Sequence, residues 1–482
     1  MNNAIFKSFL LQNLNYKPTK EQDFAIDKLT QFLFDNNAFS AFILKGYAGT
    51  GKTSLVGAFV ETVEKMGGKC VLMAPTGRAA KVMARYSQHQ AFTVHKVIFR
   101  QKRFGMELDF ALGFNSRNNV IFVVDEASMI SDSEDERNAH DSLLASLMAF
   151  VYGNGRGCRL LFVGDDAQLP PIGETESPAL RAHVMKKFGV DVGTAMLTEV
   201  VRQDEMSGIL WNSTNIRKMM DKGDFNILPK IRFKGFADVM NITGDILIET
   251  LTDCYQHDGM DETIVVCRSN KRANIYNNGI RAQILWRESL LESQDLVMVA
   301  KNNYYWTEQN MTEENNMEEN MEGMDFIANG EVAVVRRVRN VRELYGFSFA
   351  DCTLSFPDYD DAEIDATLLL DALQSQAPAL TQEQQEKLFK RVEEDYLDIP
   401  LKADRMKKIK QDPYFNALQV KYAYAVTCHK AQGGQWTNVF IDQGYLPQDT
   451  AGKDYYRWIY TAMTRATRRL FFVNWKDEQT DI

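Results

Sequence analysis

Short apolar runs recur along the first 200 residues, and each is followed by a polar or glycine-bearing turn. Continuous runs rich in Val, Ile, Leu and Phe suit strands buried on both faces, which occur mainly in parallel sheets flanked by helices. Helix-like segments at 55–66 and 79–86 fit the crossover connections of such a sheet. The pattern predicts an α/β domain with strands at 41–45, 69–74, 120–124 and 159–163.

A second set of apolar runs lies far along the chain, at 263–267, 438–442 and 469–473. These runs have the same continuous character as the first set, so they predict a second α/β domain. Because more than 150 residues separate its first two runs, the parts of this domain are expected to be discontinuous in sequence.

The segment between those parts has a different pattern. Runs at 295–302, 331–339 and 349–356 read as antiparallel strands of a small, barrel-like all-β insert. The acidic segment at 362–411 is predicted to be helical. The expected boundaries are 1–205 for the first α/β domain, 206–290 with 412–482 for the second, and 291–411 for the insert.

Composition narrows the class of protein. Hydrophobic residues make up 45% and charged residues 25% of the chain, as in soluble globular proteins. No apolar run approaches the ~20 residues of a membrane-spanning helix, and the N-terminal apolar patch is interrupted by Lys7, so we expect a cytoplasmic protein. The six cysteines form no CxxC pair, which argues against a disulfide framework or a zinc site.

The net charge of −10 is concentrated in two segments. Residues 308–325 carry −7 and residues 357–398 carry −9, which leaves +6 for the rest of the chain. The rich Asn, Met and Glu content of the first segment is typical of a solvated loop. Local charge decides which polymers a surface attracts, so a basic groove on the main body is compatible with this sequence.

A glycine-rich motif follows the first predicted strand and precedes a predicted helix. Its sequence matches the phosphate-binding loop (P-loop), in which backbone N–H groups and the helix N-terminus surround the phosphates of a nucleotide. A lysine reaches the terminal phosphates and a threonine hydroxyl ligates Mg²⁺. The residues are Gly46, Ala48, Gly49, Thr50, Gly51, Lys52 and Thr53.

Carboxylates follow the third predicted strand, at the edge where parallel sheets bind ligands. Asp125 would hold Mg²⁺ through water, and Glu126 would polarise the attacking water. A solvated loop start is the alternative, but the P-loop upstream favours a nucleoside triphosphatase. Gln168, after the next strand, is placed to sense the γ-phosphate, the alternative being a proline-stiffened turn.

Together these segments resemble the superfamily 1 helicases of the 5′-to-3′ branch, the RecD and Dda type. The resemblance implies two RecA-like parallel-sheet domains, a small β-hairpin insert in the first and a barrel-like plus helical insert in the second. It also implies ATP and Mg²⁺ as cofactors. The segments that match family motifs, in family order, are residues 18–22, 74–80, 93–95, 197–203, 425–433 and 460–466.

The resemblance assigns further residues to the nucleotide. Gln22 corresponds to the adenine-reading glutamine, and an amide can pair bidentately with adenine. Arg202 and Arg465 correspond to arginines that meet the charge on the γ-phosphoryl group, with surface ion pairs as the alternative. Gly434 and Gln435 complete the set, although Gln435 stands where the family commonly has a charged Glu, which puts the strength of that contact in doubt.

The same resemblance assigns contacts to single-stranded DNA. Such contacts to phosphates imply binding that is independent of sequence and weakened by salt. An adjoining segment with Arg268, Lys271 and Arg281 resembles a further contact, with a solvated helix start as the alternative. The implied DNA-binding residues are Pro75, Thr76, Thr93, His95, Asn270, Thr427, His429 and Lys430.

Residues 100–119 lie where the family inserts a pin that splits the duplex. Phe104, Phe110 and Phe114 are candidates for the wedge, with packing inside the insert as an equal alternative for each. Stacking on an aromatic is worth ~1 to 3 kcal/mol per base, comparable with the mean of ~1.4 kcal/mol lost per duplex step. One aromatic side chain can therefore offset one step.

The expected function is an ATP-dependent DNA helicase that moves 5′ to 3′. Two alternatives share the fold: an RNA helicase, and a nucleotide-gated subunit of a DNA-repair complex that unwinds nothing itself. The resemblance implies single-stranded and forked DNA as partners, a monomer, no membrane, and protein partners from DNA repair or recombination.

Overall fold

The computed structural model describes most of the chain. The described residues are 3–37, 39–104, 107–133, 142–153, 156–201, 207–223, 225–303, 305–313, 326–447 and 451–481. Within these ranges, no helix combines the length and the apolar character needed to cross a membrane.

The first lobe contains a six-stranded, wholly parallel sheet in the order β3-β2-β6-β7-β1-β8. Its helices are α1 (Asn3–Asn13), α2 (Lys20–Leu33), α3 (Lys52–Lys65), α4 (Gly77–Ser87), α5 (Val94–Ile98), α6 (Leu143–Tyr152) and α7 (Ala182–Lys187). Its strands are β1 (Ser40–Gly46), β2 (Lys69–Ala74), β3 (Ala91–Thr93), β4 (Phe99–Phe104), β5 (Glu107–Leu112), β6 (Val120–Val124), β7 (Arg159–Gly164) and β8 (Asp191–Leu197).

The continuous apolar runs form the central strands because both faces of the sheet are covered. Ile43 and Phe122 pack into a core with α5, α6 and α7, whereas Phe42 and Val123 pack into the core formed with α1, α2 and α3. The predicted strands and both predicted helices of this lobe are confirmed. The edge strands β3 and β8 were not predicted, since β8 is half-buried and mixes polar with apolar residues.

The predicted hairpin insert is present, because β4 and β5 pair antiparallel and form a separate two-stranded sheet. The hairpin leaves the lobe directly after α5, and the Gly113 N–H donates to the Ile98 carbonyl at 2.7 Å at its base. Phe114 lies beyond the second strand with 71% of its surface exposed. The Arg156 guanidinium lies 5.8 Å from the centre of the Phe114 ring.

The second lobe contains a five-stranded parallel sheet in the order β10-β19-β18-β11-β17. Its first part comprises α8 (Gly208–Lys222), β9 (Ile231–Arg232), β10 (Val239–Ile242), α9 (Leu247–His257), β11 (Thr263–Cys267) and α10 (Asn270–Gln283). The chain then enters the insert. The insert comprises β12 (Leu296–Val299), α11 (Tyr305–Glu313), β13 (Val332–Leu344), β14 (Phe347–Phe356), β15 (Ala362–Leu369), α12 (Asp371–Gln374), α13 (Gln382–Glu394), α14 (Lys402–Lys410) and β16 (Leu418–Tyr422).

The chain returns to the second lobe after the insert. The returning elements are β17 (Ala425–Thr427), α15 (Cys428–Ala431), β18 (Trp436–Asp442), α16 (Lys453–Met463), β19 (Ala466–Val473) and β20 (Thr480–Asp481). Strand β20 pairs with β9 in a separate two-stranded sheet. The two α/β domains predicted from the sequence are therefore confirmed, and strands from both sides of the insert form the second sheet.

Strands β12 to β16 close into a barrel, and this corrects two sequence expectations. Residues 362–369 are a strand rather than helical, because alternate residues from Ala362 to Ala366 are buried while Glu363 and Asp365 face outward. The barrel also extends past residue 411, the expected boundary of the insert, because β16 closes it by pairing with β12 and β15. The helices α13 and α14 occupy the part of the predicted helical segment that remains.

Candidate nucleotide and nucleic-acid site

The P-loop joins β1 to α3 and depends on glycine at two positions. Gly49 and Gly51 both have φ of +78°, a left-handed conformation that other residues adopt only with strain. A Cβ at Gly51 would also lie 2.6 Å from Nε2 of Gln22. The loop therefore has the curled backbone that the sequence motif predicted.

Lys52 is folded back into the loop. Its Nζ donates to the carbonyl oxygens of Gly46 at 2.6 Å and Tyr47 at 2.8 Å. These carbonyls satisfy the ammonium group where a phosphate would otherwise do so. Thr53, the next residue, is exposed at the start of α3.

Asp125 and Glu126 lie at the carboxyl end of β6, beside the P-loop. The Asp125 carboxylate accepts hydrogen bonds from the Tyr86 hydroxyl and, at 2.9 Å, from the Glu126 N–H. Burial raises the pKa of Asp125, and the Lys52 charge opposes that rise. Burial also raises the pKa of Glu126, while the charges of Arg465 and Lys52 lower it. Glu126 thus lies within the electrostatic reach of a cation from each lobe.

The loop after β7 provides a second buried carboxylate. Asp165 is 1% exposed and accepts a hydrogen bond from the Ala167 N–H at 3.0 Å. Burial raises the pKa of Asp165, and the nearby Lys52 charge lowers it. Gln168 is 4% exposed, and among the described residues its Oε1 has no hydrogen-bond partner. An unpartnered buried acceptor at this position suits a residue that responds to a ligand.

Helix α16 of the second lobe lies directly against this loop and the P-loop. The Ala48 N–H donates to the Tyr460 hydroxyl at 2.9 Å, and that hydroxyl donates to Asp165 at 2.7 Å. The Leu169 N–H donates to the Thr461 hydroxyl at 2.9 Å. These bonds join the two lobes across the nucleotide site.

Two further bonds cross the same boundary. The Gln432 side chain donates to the Leu169 carbonyl at 2.7 Å, and the Arg457 guanidinium donates to the Thr175 carbonyl at 2.7 Å. Arg457 is only 2% exposed, so this contact lies inside the molecule.

Arg465 follows α16 and is 3% exposed. Its guanidinium donates to the carbonyls of Thr461 and Gly434, at 3.1 and 3.2 Å, and to the Thr464 hydroxyl at 3.2 Å. These bonds fix the guanidinium, whose charge acts on Glu126. Gln435, which follows Gly434 in the chain, is exposed, and its carbonyl accepts from Arg78 at 3.2 Å.

Gln22 lies behind the P-loop with both ends of its amide engaged. Its Nε2 donates to the Thr50 carbonyl at 3.0 Å, and its Oε1 accepts from the Thr19 N–H at 3.1 Å. Gln22 is also the N3 residue of the capping box that begins α2. In this conformation Gln22 supports the loop, so pairing with adenine requires its side chain to exchange partners.

The predicted arginine Arg202 lies outside the described residues. The chain leading to it is nevertheless anchored, because the Val201 N–H donates to the Gly49 carbonyl at 3.0 Å. The preceding residue Thr198 is bound by the Glu21 carboxylate. Helix α2 thus bonds both to the P-loop, through Gln22, and to the segment that leads to Arg202, through Glu21.

The DNA-binding candidates of the first lobe lie at helix N-termini. Thr76 and Thr93 are the N-caps of α4 and α5, where their hydroxyls accept from the N–H groups of Ala79 and Lys96 at 3.2 Å each. Pro75 precedes the first cap and is half-buried. The His95 ring lies 5.7 Å from the Phe99 ring at the base of the hairpin.

The candidates of the second lobe follow β17 and β11. Thr427 is half-buried at the start of α15, and burial lowers the pKa of both His429 and Lys430, the second and third residues of that helix. Asn270 is the first residue of α10 and is half-buried. The structure brings Thr76 next to Gly433, two residues past the end of α15, because a Cβ at Gly433 would lie 3.1 Å from the Thr76 hydroxyl.

Arg281 does not belong to a DNA-binding surface, which corrects the sequence expectation. Its guanidinium forms two bonds with the Asp295 carboxylate, at 3.0 and 2.9 Å, and Asp295 is fully buried. Because Arg281 is the twelfth residue of α10, it faces the base of the barrel rather than the helix start. Lys271 and Arg268, near the N-terminus of α10, are exposed.

Several functional residues could not be assigned from the motifs. Tyr460 and Asp165 stand inside recognised motifs, but only the structure shows that they bind each other across the lobes. Tyr86 lies on α4, outside the carboxylate motif, yet donates to Asp125. A tyrosine in an amphipathic helix carries no signal that identifies this contact.

The fold and the site define a P-loop protein with two parallel-sheet lobes that meet at the candidate nucleotide site. Family comparison is consistent with this class: an AAA domain matches residues 29–227, and a UvrD-like helicase C-terminal domain matches residues 422–473. The first match covers the P-loop lobe and the second covers the returning part of the other lobe. The predicted resemblance to superfamily 1 helicases of the RecD and Dda type is thereby confirmed.

Individual relatives agree with that resemblance. The chain is 33% identical to the ATP-dependent RecD2 DNA helicase of Deinococcus radiodurans, over 35% of this chain and 20% of that protein. It is 26% identical to the ATP-dependent DNA helicase dda of Enterobacteria phage T4, over 50% of this chain and 52% of that protein. The chain thus spans about a fifth and about half of these two relatives. A crystal structure of Pif1 helicase from Bacteroides with ADP-AlF3 and ssDNA superposes with a TM-score of 0.47 at 15% identity, covering 97% of this chain and 95% of that one.

Proposed function

We propose that this chain is an ATP-dependent DNA helicase that moves 5′ to 3′ along single-stranded DNA and unwinds duplex. The observation that carries the proposal is that α16 of the second lobe bonds to the P-loop and to the loop after β7, while the pKa of Glu126, raised by burial, is lowered by the charges of Arg465 from one lobe and Lys52 from the other. ATP bound at this boundary contacts both lobes, so its cleavage changes how they hold together.

In this proposal, each residue of the site has a separate role in ATP hydrolysis. The P-loop amides and Lys52 bind the phosphates, and Lys52 exchanges its two carbonyl partners for phosphate oxygens. Glu126 orients the attacking water. Arg465 and Arg202 meet the negative charge that develops on the γ-phosphoryl group. Gln168, whose buried Oε1 has no hydrogen-bond partner in the described part of the chain, responds to the presence of that group.

Mg²⁺ fits the residues at the start of α3 and the end of β6. Thr53 supplies an exposed hydroxyl and Asp125 a carboxylate, which are oxygen donors of the kind that Mg²⁺ prefers. When bound, Mg²⁺ neutralises charge on the β- and γ-phosphates. Tyr86 and the Glu126 N–H hold the Asp125 carboxylate in a fixed orientation for this role.

The DNA would cross both lobes along the helix N-termini. Thr76 and Thr93 on one side, and Thr427 and Lys430 on the other, offer hydroxyl and ammonium donors to phosphates. Such contacts carry no base information, so binding would be independent of sequence. The hairpin β4–β5 leaves the lobe directly after α5, the helix that Thr93 caps, and would act as the pin that meets the duplex.

The test is an unwinding assay with duplexes that carry a 5′ tail, a 3′ tail or no tail, each made of DNA and of RNA. Unwinding of the 5′-tailed DNA alone, with ATP, is the expected result. Unwinding from a 3′ tail would overturn the polarity, and equal activity on RNA would favour the RNA helicase.

The Lys52→Ala variant is the matched control, because it should lose hydrolysis but keep DNA binding. ATP hydrolysis stimulated by DNA, without unwinding at any tail, would favour the nucleotide-gated subunit instead. The monomeric state and the partners in repair or recombination stay predictions from the resemblance.

A further inference from the structure

Tyr460 connects the second lobe to an amide of the P-loop. Its hydroxyl accepts from the Ala48 N–H at 2.9 Å and donates to the Asp165 carboxylate at 2.7 Å. Both partners belong to the first lobe, whereas Tyr460 lies on α16 and is 1% exposed. A side chain of one lobe therefore occupies a donor that the other lobe's loop would offer to a phosphate.

This bond lies beside the lysine that reaches the terminal phosphates in P-loop proteins. Lys52, which reaches the terminal phosphates in P-loop proteins, acts electrostatically on Asp165, the partner of the Tyr460 hydroxyl. The same lysine donates to the carbonyl of Tyr47, the residue before Ala48. The lysine and the tyrosine hydroxyl thus bond to adjacent residues of the loop, Tyr47 and Ala48.

The tyrosine is neutral in this position. Burial, followed by the charge of Asp165, raises its pKa well above the ordinary value. The hydroxyl can accept from an amide and donate to a carboxylate at the same time, as it does here. A γ-phosphate can accept from the Ala48 N–H as well, but the two acceptors cannot share its single hydrogen without weakening both bonds.

We propose that Tyr460 is a positioning residue whose hydroxyl holds the terminal-phosphate position of the P-loop until the γ-phosphate of ATP displaces it. This inference rests on the proposed ATPase function. Displacement frees α16 from Ala48, and α16 also carries Thr461, which binds the Leu169 N–H. Binding of the γ-phosphate thereby changes the contacts of α16, the helix that ends two residues before Arg465.

The first experiment measures nucleotide binding to Tyr460→Phe in the absence of DNA. The probes are fluorescent ADP and a fluorescent non-hydrolysable ATP analogue. Removing the hydroxyl leaves the Ala48 N–H without its partner in the free protein, so the triphosphate should bind about two- to tenfold more tightly, the range of one net hydrogen bond. Binding of ADP should be unchanged.

Tyr456→Phe is the matched control, because it lies one turn earlier on α16 and its hydroxyl donates to the Ile227 carbonyl at 2.9 Å. This variant should bind both nucleotides as the wild type does. Equal tightening for ADP and triphosphate, no change, or weaker triphosphate binding by Tyr460→Phe would overturn the inference. A wild-type chain that binds neither nucleotide would instead contradict the proposed function.

A second measurement uses the unaltered chain and does not depend on how the variant folds. Backbone hydrogen exchange in α16 should increase with the triphosphate analogue and not with ADP, since only the former releases Tyr460 from Ala48. The same exchange in α16 with both nucleotides would contradict the displacement.

Discussion

Glu126 illustrates, at the scale of single residues, why this site needs two lobes. Burial disfavours its charge and raises its pKa, while Arg465 and Lys52 favour the charge. Glu126 also adopts a left-handed backbone conformation, with φ of +50°, which residues other than glycine adopt only rarely. An ionised carboxylate at this point therefore depends on cations that arrive from both sides.

Replacing Arg465 by Ala should lower ATP turnover by about 10³- to 10⁵-fold, because the developing charge on the γ-phosphoryl group loses its partner. Nucleotide affinity should change much less, since Lys52 and the P-loop amides remain. Steady-state ATPase rates and equilibrium nucleotide binding check the two halves of this expectation.

Arg468→Ala provides the control for that substitution. Its side chain is 70% exposed and pairs with Asp258 at 3.3 Å on the surface, so its loss should leave turnover unchanged. Equal losses of affinity and turnover in Arg465→Ala would indicate damage to the whole site, because the guanidinium also holds the Thr461 and Gly434 carbonyls.

Site residues that belong to motifs of fixed spacing could be predicted from the sequence. Site residues that come into contact only through the tertiary fold could not. Lys52 and Asp125 could be assigned because each follows an apolar strand in a recognisable order. The partner of Asp125, Tyr86, could not, since the bond joins α4 to the end of β6. The hydrogen bonds of the Gln22 amide to Thr19 and Thr50 could not be predicted either, because the bond to Thr50 depends on how α2 packs on the loop.

At the scale of elements, the strands buried on both faces were predictable and the others were not. Residues 120–124 and 263–267 were predicted with their observed bounds, since every residue of β6 and β11 is buried. Strand β15 lies in the acidic segment that the sequence analysis predicts to be helical. Its alternation, with Ala362 and Ile364 inside the barrel and Glu363 outside, was the signal that composition obscured.

The pair of Arg281 and Asp295 joins α10 to the start of the barrel, so its loss should affect stability rather than DNA binding. Arg281→Ala leaves the Asp295 carboxylate buried without its cation, which costs about 3 to 5 kcal/mol. Urea denaturation should show this loss in the free energy of unfolding.

Arg391→Ala, which removes an exposed pair with Glu394 at 3.2 Å, is the control and should cost less than about 1 kcal/mol. A small effect of Arg281→Ala on stability with a large effect on DNA affinity would restore the original assignment.

Glu331 makes the stability of the barrel depend on pH. Burial raises the pKa of this carboxyl to about 8, although the Tyr359 hydroxyl and the Ala328 N–H both donate to it. Since the folded state keeps a proton that the unfolded chain loses above its ordinary pKa, stability falls as the pH rises through that window. Glu331→Gln cannot ionise, so the free energy of unfolding of the wild type should fall relative to that of this variant by about 1 to 3 kcal/mol from about pH 5 to about pH 8, whatever the offset between them at low pH.

Thermal or urea unfolding at several pH values tests the expectation for Glu331. The control is Glu363→Gln, an exposed position on β15 of the same barrel. Parallel pH dependence of the wild type and Glu331→Gln would show that residue 331 ionises normally.

At the scale of the whole molecule, the barrel and both lobes meet beside the proposed DNA path. Arg78 at the start of α4 lies 4.0 Å from the centre of the Trp436 ring in the second lobe. The neighbouring residue Lys81 pairs with Asp358 of the insert at 3.8 Å. Tyr359 of the insert would lie 3.3 Å from a Cβ at Gly77. A movement of the first lobe would therefore change its contacts with both the second lobe and the barrel.

The proposed DNA path would reconcile a net charge of −10 with binding to a polyanion. The proposed contacts lie along the helix N-termini, where Lys430 is half-buried and burial lowers its pKa. If Lys430 contacts one phosphate, Lys430→Ala should reduce the slope of log affinity against log salt by about 0.7 for single-stranded DNA. Fluorescence anisotropy across a salt series measures that slope. Lys408→Ala removes the same charge from the exposed surface of α14 and should leave the slope unchanged, so equal slopes in the two variants would mean that overall charge, rather than a defined path, governs binding.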